Sequence, residues 1–283
     1  MGVVAEIERK LARERCKQVD DGVPELRTST LTHLVWAPPS WLPAARRTLA
    51  GLAERHPART IFLVPEAGRG DRVDAAVSVR DFPVGDGREV LSEVIEIRLR
   101  GTPAEHPGSI VLPLLVSDLP AFCRWRGRPD FGSSAFTEIV DVVDRLVVDS
   151  GEWPGLPAAY ARLVALFDEV TVSDIAYRRT LPWRARIAER WPDIASLDAI
   201  RVTGPRADAL LLAGWLRSRL GREVRLSRRN AARIEAVALD GEPVSTPVEA
   251  ATSPSDLLSG ELEVLARDAV YEGAVRTLAE PAA

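Results

Sequence analysis

Between Ser173 and Arg186 four arginines, Arg178, Arg179, Arg184 and Arg186, are interleaved with Tyr177 and Trp183 and follow a single acid, Asp174. A guanidinium offers a planar fork of donors that matches a carboxylate or phosphate, so the chemistry on offer is anion recognition. Asp174 and Arg178 stand four apart; on a helix the acid offsets that arginine and Arg179 is left over. Pro182 fits only the first turn of a helix, which predicts one helix ending near Arg179 and a second opening with Thr180 as its cap. Trp183, Ile187 and Trp191 then recur every four residues as the apolar face of the second helix, with Pro192 closing it. Arg184 and Arg186 stand near its start, where unpaired amides favour an anion.

Two readings of this stretch stay open. The arginines either brace packed elements through internal ion pairs, or Asp174, Tyr177, Arg178, Arg179, Trp183 and Arg184 together form a partner-binding surface. Charge reversal at Arg179 and Arg184 separates them: a surface loses binding and keeps its fold, a brace loses its fold.

Other reactive residue types are scattered. His33, His56 and His106 lie far apart, and neither they nor Cys16 and Cys123 stand at metal-ligand spacing, so no metal site is expected. There is no Gly-x-Ser-x-Gly elbow, no Walker-type Gly-Lys-Ser/Thr, and Gly68-Arg69-Gly70 lacks the rest of a dinucleotide fingerprint. No catalytic residue and no cofactor is assigned. Asp149-Ser150 closes an apolar strand, where open α/β sheets place their ligands. With His56, Arg59 and Asp118 this pair makes the competing class of function, a small-molecule site for a phosphosugar or nucleotide; a divergent enzyme is the third possibility.

Composition sets the bounds. The 283 residues are 46% hydrophobic, enough for a substantial core and for two domains. A net charge of -4 recruits neither nucleic acid nor an anionic membrane. Lys10 and Lys17 are the only lysines, a bias that weakens arguments from arginine clustering. Two lone cysteines, the lack of any membrane-spanning run and acids among the N-terminal bases imply a cytoplasmic protein.

The elements that must hold these residues follow from periodicity. Val4, Ile7 and Leu11 mark an opening amphipathic helix. Strands are expected over 27–36 and 59–64, joined by a helix capped by Ser40 and carrying Trp41, Ala45, Leu49 and Leu52; such a βαβ unit makes the two strands parallel. Strands over 75–82 and 90–99 come next, the second alternating in a way that predicts one wet face and an edge position. A strand at 121–126, a helix striped by Phe136, Ile139, Val140 and Val143, and a strand at 146–148 complete an open N-terminal αβα sandwich with a Rossmann-like mixed sheet. The second half reads as a smaller α/β domain. A helix carrying Tyr160, Leu163 and Phe167 leads into the arginine segment as the bridge, and an apolar helix at 209–220 is stopped by Gly221. Strands at 199–203, 224–226 and 234–239 surround it, the last turned by Asp240-Gly241. Two C-terminal helices finish the chain, one capped by Ser255 and carrying Leu257, Leu258, Leu262 and Leu265, one carrying Tyr271, Val275 and Leu278. The domains are placed at 1–155 and 156–283.

Short motifs in both halves, in a fixed order, resemble the OpcA family of glucose-6-phosphate dehydrogenase assembly proteins. They are Arg27-Thr28-Ser29-Thr30-Leu31, His56-Pro57-Ala58-Arg59, Ile110 to Leu115 with Asp118-Leu119-Pro120, Trp125-Arg126-Gly127, Arg145 to Ser150, and Ser173-Asp174 through Pro182-Trp183-Arg184. Tyr177 stands where that family has a tryptophan, and Thr180-Leu181 is reversed before Pro182. The resemblance implies a non-catalytic partner that binds glucose-6-phosphate dehydrogenase, entry enzyme of the oxidative pentose phosphate route, and promotes its active state. Redox control through cysteines is not carried over to Cys16 or Cys123.

Overall fold

The computed structural model describes residues 2–19, 25–26, 29–52, 55–83, 89–247 and 252–280, so Arg27 and Thr28, which open a predicted strand and a motif, lie outside the described residues. The chain divides into two compact units, Met1–Val147 with Pro254–Glu263, and Val148–Ser253 with Val264–Ala283. In chain order the first contains α1 (Val3–Val19), β1 (Glu25–Leu26), β2 (Leu31–Trp36), α2 (Leu42–Ala50), β3 (Ala58–Pro65), β4 (Arg72–Pro83) and β5 (Glu89–Arg100). Two single-turn helices follow, α3 (Thr102–Glu105) and α4 (Gly108–Val111), then β6 (Ala121–Trp125), α5 (Ser134–Val140) and β7 (Arg145–Val148). The second continues with α6 (Ala159–Val164), β8 (Thr171–Asp174), α7 (Ile175–Arg179), α8 (Leu181–Ala188), β9 (Ala199–Thr203), α9 (Arg206–Leu220), β10 (Arg225–Arg229), β11 (Ala236–Leu239) and β12 (Glu242–Pro243). Last come α10 (Pro254–Leu262), which packs in the first unit, and α11 (Ala269–Ala279) in the second.

The first unit is built on a sheet ordered β1-β5-β3-β2-β6-β7, each of these neighbours parallel, with β4 antiparallel on β5. β3 is a continuous apolar run because both of its faces are covered, Ile61 to Val64 being buried. β5 corrects one expectation. Its alternation does give one wetter face, with Ile95, Ile97 and Leu99 buried and Arg98 exposed, but it is not an edge: β3 pairs with it on one side and β4 on the other. Alternation reports the faces of a strand and carries no information about its flanks.

Successive residues of β2 point to opposite faces. Val35 packs with Phe62, Val64, Leu42 and Ala45 against α2. Trp36 stacks on Trp125, its register partner in β6, at 4.5 Å and 11° between planes, and Trp125 meets Phe136 of α5 edge-on at 5.0 Å. Helices α2 and α5 therefore cover opposite faces. Ser40 is not the cap of α2, whose N-cap position falls on Trp41 with no side-chain bond.

The helix at Pro254–Leu262 is tied to the first unit by named contacts: Ser255 Oγ donates to the Thr48 carbonyl at 2.9 Å, and Ser259 Oγ lies 2.6 Å from His56 Nε2. It stops before Leu265, which is 57% exposed and not part of the buried stripe expected of it.

The second unit pairs β9 with β10 in parallel and with β11 antiparallel, and the β11-β12 hairpin turns at Asp240 and Gly241, with φ of 46° and 94°. Two positive φ values are what a tight hairpin turn demands, and Asp-Gly supplies them at low cost. Apolar α9 ends at Gly221 in the left-handed region, φ 62°. Helix α11 crosses α9 at Gly214, where an added Cβ would lie 2.5 Å from the Ala274 carbonyl oxygen and 2.8 Å from Leu278. Backbone cannot step aside as a flexible side chain can, so Gly214→Ala is expected to destabilise by about 1–3 kcal/mol in urea denaturation. An unchanged midpoint would mean the two helices are free to separate.

Candidate functional site

The arginine segment lies in the second unit. Asp174 ends β8 and caps α7, its Oδ1 accepting from the amides of Ala176 at 2.8 Å and Ser150 at 3.0 Å. Its carboxyl is buried, which pushes its pKa up to about 7, the nearby charge of Asp149 adding to the effect against the amide bonds. Its Oδ2 has no hydrogen-bond partner among the described residues. The expected service of Asp174 to Arg178 is thus replaced by capping.

Arg179, the residue left over by the spacing argument, closes a double fork. It donates to Asp149 through Nη1 at 2.9 Å and Nη2 at 3.0 Å, and to Asp208 through Nε at 3.1 Å and Nη2 at 2.9 Å. Asp149 follows β7, and Asp208 sits in the first turn of α9, so one guanidinium ties three elements together. Burial works against its charge, but the two carboxylates outweigh this and raise its pKa above the usual arginine range. Burial raises Asp208 despite Arg179 beside it. Gly151 makes the approach possible: a Cβ there would lie 2.6 Å from Arg179 Nη2. Ser150 Oγ bonds Tyr160 Oη at 3.1 Å, and burial holds that phenol protonated well above its ordinary range.

The remaining members of the predicted surface are also inward. Tyr177 and Trp183 are buried. Arg184 lies over the Tyr177 ring at 3.7 Å, donates to its hydroxyl at 2.8 Å and to Thr180 Oγ1 at 3.0 Å. Thr180 precedes α8 as predicted, but its hydroxyl donates back to the Tyr177 carbonyl at 2.7 Å, not forward to the helix. Trp183 and Ile187 form the buried stripe of α8; Trp191 does not continue it, being 64% exposed. On its other side Leu181, Ala185, Ala188 and, beyond the helix, Trp191 and Pro192 are all exposed.

The competing small-molecule set is not gathered into one place. In the first unit His56 bonds Ser259, Arg59 donates to Glu93 at 2.7 Å and to the Leu114 carbonyl at 3.0 Å, and Asp118 is exposed at φ 65°. Arg59 lines a cleft of about 480 Å³ with Arg15, Glu93 and Ser117, a set without His56 or Asp118. Asp149 and Ser150 belong to the second unit.

Two groups escaped the sequence. Asp208 looks like any acid placed to suit a helix dipole; only its flanks, Ala207 and Ala209 in an apolar run, hint at burial. The second is a crevice of about 440 Å³ in the first unit, between the ends of β2 and β6, lined by Trp36, Trp125, Arg126, Arg128, His106 and Ser133 among others. No groups of His, Cys, Asp and Glu suited to a metal occur among the described residues, and none of the described helices is long and apolar enough to cross a membrane. Cys16 is exposed and Cys123 buried, neither in a disulfide.

Comparison with known proteins agrees with the motifs. Residues 50–165 match a family model described as the glucose-6-phosphate dehydrogenase subunit N-terminal domain, and residues 170–275 match the C-terminal domain of the same description. The chain is 30% identical over 181 residues to a protein of Nostoc punctiforme named for the OxPP cycle, OpcA, a match covering 60% of this chain and 39% of that protein. Proteins of the same name from Synechococcus elongatus and Synechocystis sp. are 27% and 25% identical, covering 60% of this chain and 41% and 38% of theirs. The chain thus spans about two fifths of the length of these relatives. With both domain models matched in order, the chain belongs to the OpcA family of glucose-6-phosphate dehydrogenase assembly proteins.

Proposed function

We propose that this chain is a non-catalytic cytoplasmic assembly factor that binds glucose-6-phosphate dehydrogenase and favours its active oligomeric state. The observation that carries the reading is the outer side of α8. Leu181, Ala185, Ala188, Trp191 and Pro192 are exposed at helical spacing, while the opposite side, Trp183 and Ile187, is buried. An apolar stripe with a tryptophan 64% exposed is the kind of feature that anchors a protein interface. The stripe lies within the matched domain whose description names the dehydrogenase as its subunit partner. Arg178, Arg186 and Arg190 flank it, so the complementary surface is expected to be apolar with an acidic rim. Asp174, Tyr177, Arg179, Trp183 and Arg184 serve this surface from beneath, by fixing α7 and α8.

Docking alone does not activate. The chain must bind the competent form of the dehydrogenase more tightly than the incompetent form, since equal affinity shifts no population. The test is co-purification with the host dehydrogenase together with the dehydrogenase's saturation curve, for the natural chain and for the double variant Leu181→Asp, Trp191→Ala. Both positions are exposed, so the variant is expected to keep its thermal midpoint and to bind at least about thirtyfold more weakly, the loss of a single hot spot. Wild-type affinity in that variant rejects the α8 surface; a natural chain that neither co-purifies nor alters the curve rejects the function.

A further inference from the structure

The crevice in the first unit stands where an open α/β sheet changes direction. From β2 the chain crosses by α2 to β3 on one side; from β6 it crosses by α5 to β7 on the other. The two crossover helices lie on opposite faces of the sheet, as Val35 against Leu42 and Trp125 against Phe136 show. Their connections part at the carboxyl ends of the neighbouring parallel strands β2 and β6, and a cleft opens there without any side chain having to carve it.

What lines it is specific. Trp36 and Trp125, the last residues of those two strands, form the stacked floor, with Pro38, Ala104 and Ala135 adding apolar wall. Cations stand around it: Arg126, whose guanidinium lies 4.9 Å from the Trp41 ring centre, exposed Arg128, and His106, 2.7 Å from Glu138. Gly127, at φ 76° and with Trp41 Nε1 3.2 Å from where a Cβ would be, turns the chain so that both arginines border the same space. The volume of about 440 Å³ is in the range of small-molecule sites.

We propose that this crevice binds a phosphorylated ring compound, a nucleoside phosphate or a sugar phosphate, with its ring on the indole floor and its phosphate toward Arg126 and Arg128. Both classes share the chemistry the lining recognises: a flat face for an aromatic surface and a dianion for guanidinium forks. Glu105 and Asp130 on the same rim disfavour a bare anion and leave hydroxyl or amine groups of a ligand something to donate to. This site is independent of the α8 surface, which lies in the other unit.

The experiment is titration calorimetry of the full chain, without the dehydrogenase, against AMP, glucose 6-phosphate and inorganic phosphate separately, repeated with Arg128→Glu. Arg128 is exposed, so its replacement is expected to leave the thermal midpoint unchanged. The expected result is one-to-one binding of AMP, of glucose 6-phosphate or of both, at least tenfold tighter than inorganic phosphate and weakened at least tenfold by the substitution; which compound binds identifies the class. Quenching of tryptophan fluorescence on binding places the ring on the Trp36-Trp125 floor. The proposal is overturned if neither organic phosphate binds at millimolar concentration, if inorganic phosphate binds as tightly, or if Arg128→Glu binds as the natural chain does. A failed α8 test leaves this result standing, and the reverse holds.

Discussion

Arg179→Ala is expected to lower the stability of the second unit by about 3–5 kcal/mol, the usual consequence of removing one partner from a buried ion pair. Asp149 and Asp208 would remain facing each other with four charge-assisted bonds lost. For a chain of this size the thermal midpoint should fall by about 10 °C or more. Arg179→Lys should recover little, because an ammonium cannot present two parallel donors to each carboxylate. Adding Asp208→Asn to Arg179→Ala should recover part of the loss, since the damage lies in the uncompensated charge. Scanning calorimetry with tryptophan fluorescence checks all three. A variant that melts as the natural chain does and yet fails to bind the dehydrogenase would restore Arg179 to the partner surface.

That result bears on how much of the site could be read in advance. The segment around Asp174 and Arg179 was singled out by residue type, and its unusual chemistry is real, but residue type does not say whether the carboxylates awaiting an arginine are internal or foreign. Asp149 and Asp208 stand thirty and twenty-nine positions away from Arg179, and no periodicity links them. Elements with a strong apolar signal were legible: β3 from its unbroken run, α9 from its glycine stop, the β11-β12 turn from Asp-Gly. β8 was not, because four residues between helices leave no period to detect. The crevice was hidden for another reason. It is created by strand order, and Trp36 and Trp125 become neighbours only when β2 and β6 pair.

The same physics separates what the two units contribute. In the second, polar groups converge on one another, and the face left for a partner is apolar and lies on the far side of α8. In the first, the cations border open space. A protein that both docks on an enzyme and senses a phosphorylated metabolite would need these two kinds of surface, one with its polar groups consumed and one with them presented. Binding at the crevice can influence the dehydrogenase only if the ligand distinguishes two states of the assembly, a condition that measuring the two affinities together would check.

Asp174→Asn should remove most of the pH dependence of stability between about pH 4 and 7. The carboxyl has an ordinary value of 3.8 and is raised to about 7 in the folded chain, first by burial and then by the charge of Asp149. In that window the folded state holds a proton that the unfolded state has released, so stability falls as pH rises and levels off above about 7. A rise of that size corresponds to roughly 4 kcal/mol across the window. The groups nearest the carboxyl are the hydroxyl and amide of Ser150, the amide of Ala176, Tyr160 and Asp149, and Asp149 is held ionised by Arg179. Asparagine keeps an oxygen for the Ser150 and Ala176 amides and carries no charge, but it places an amide NH2 where Oδ2 has no partner, a cost of about 1–3 kcal/mol. At pH 5 the natural chain is already neutral at this position and should be the more stable; at pH 8 it bears a buried charge and the variant should match or exceed it. Urea denaturation of both at the two pH values should give stability curves that cross. Parallel curves would mean that Asp174 is ionised throughout, and the raised carboxyl would have to be abandoned.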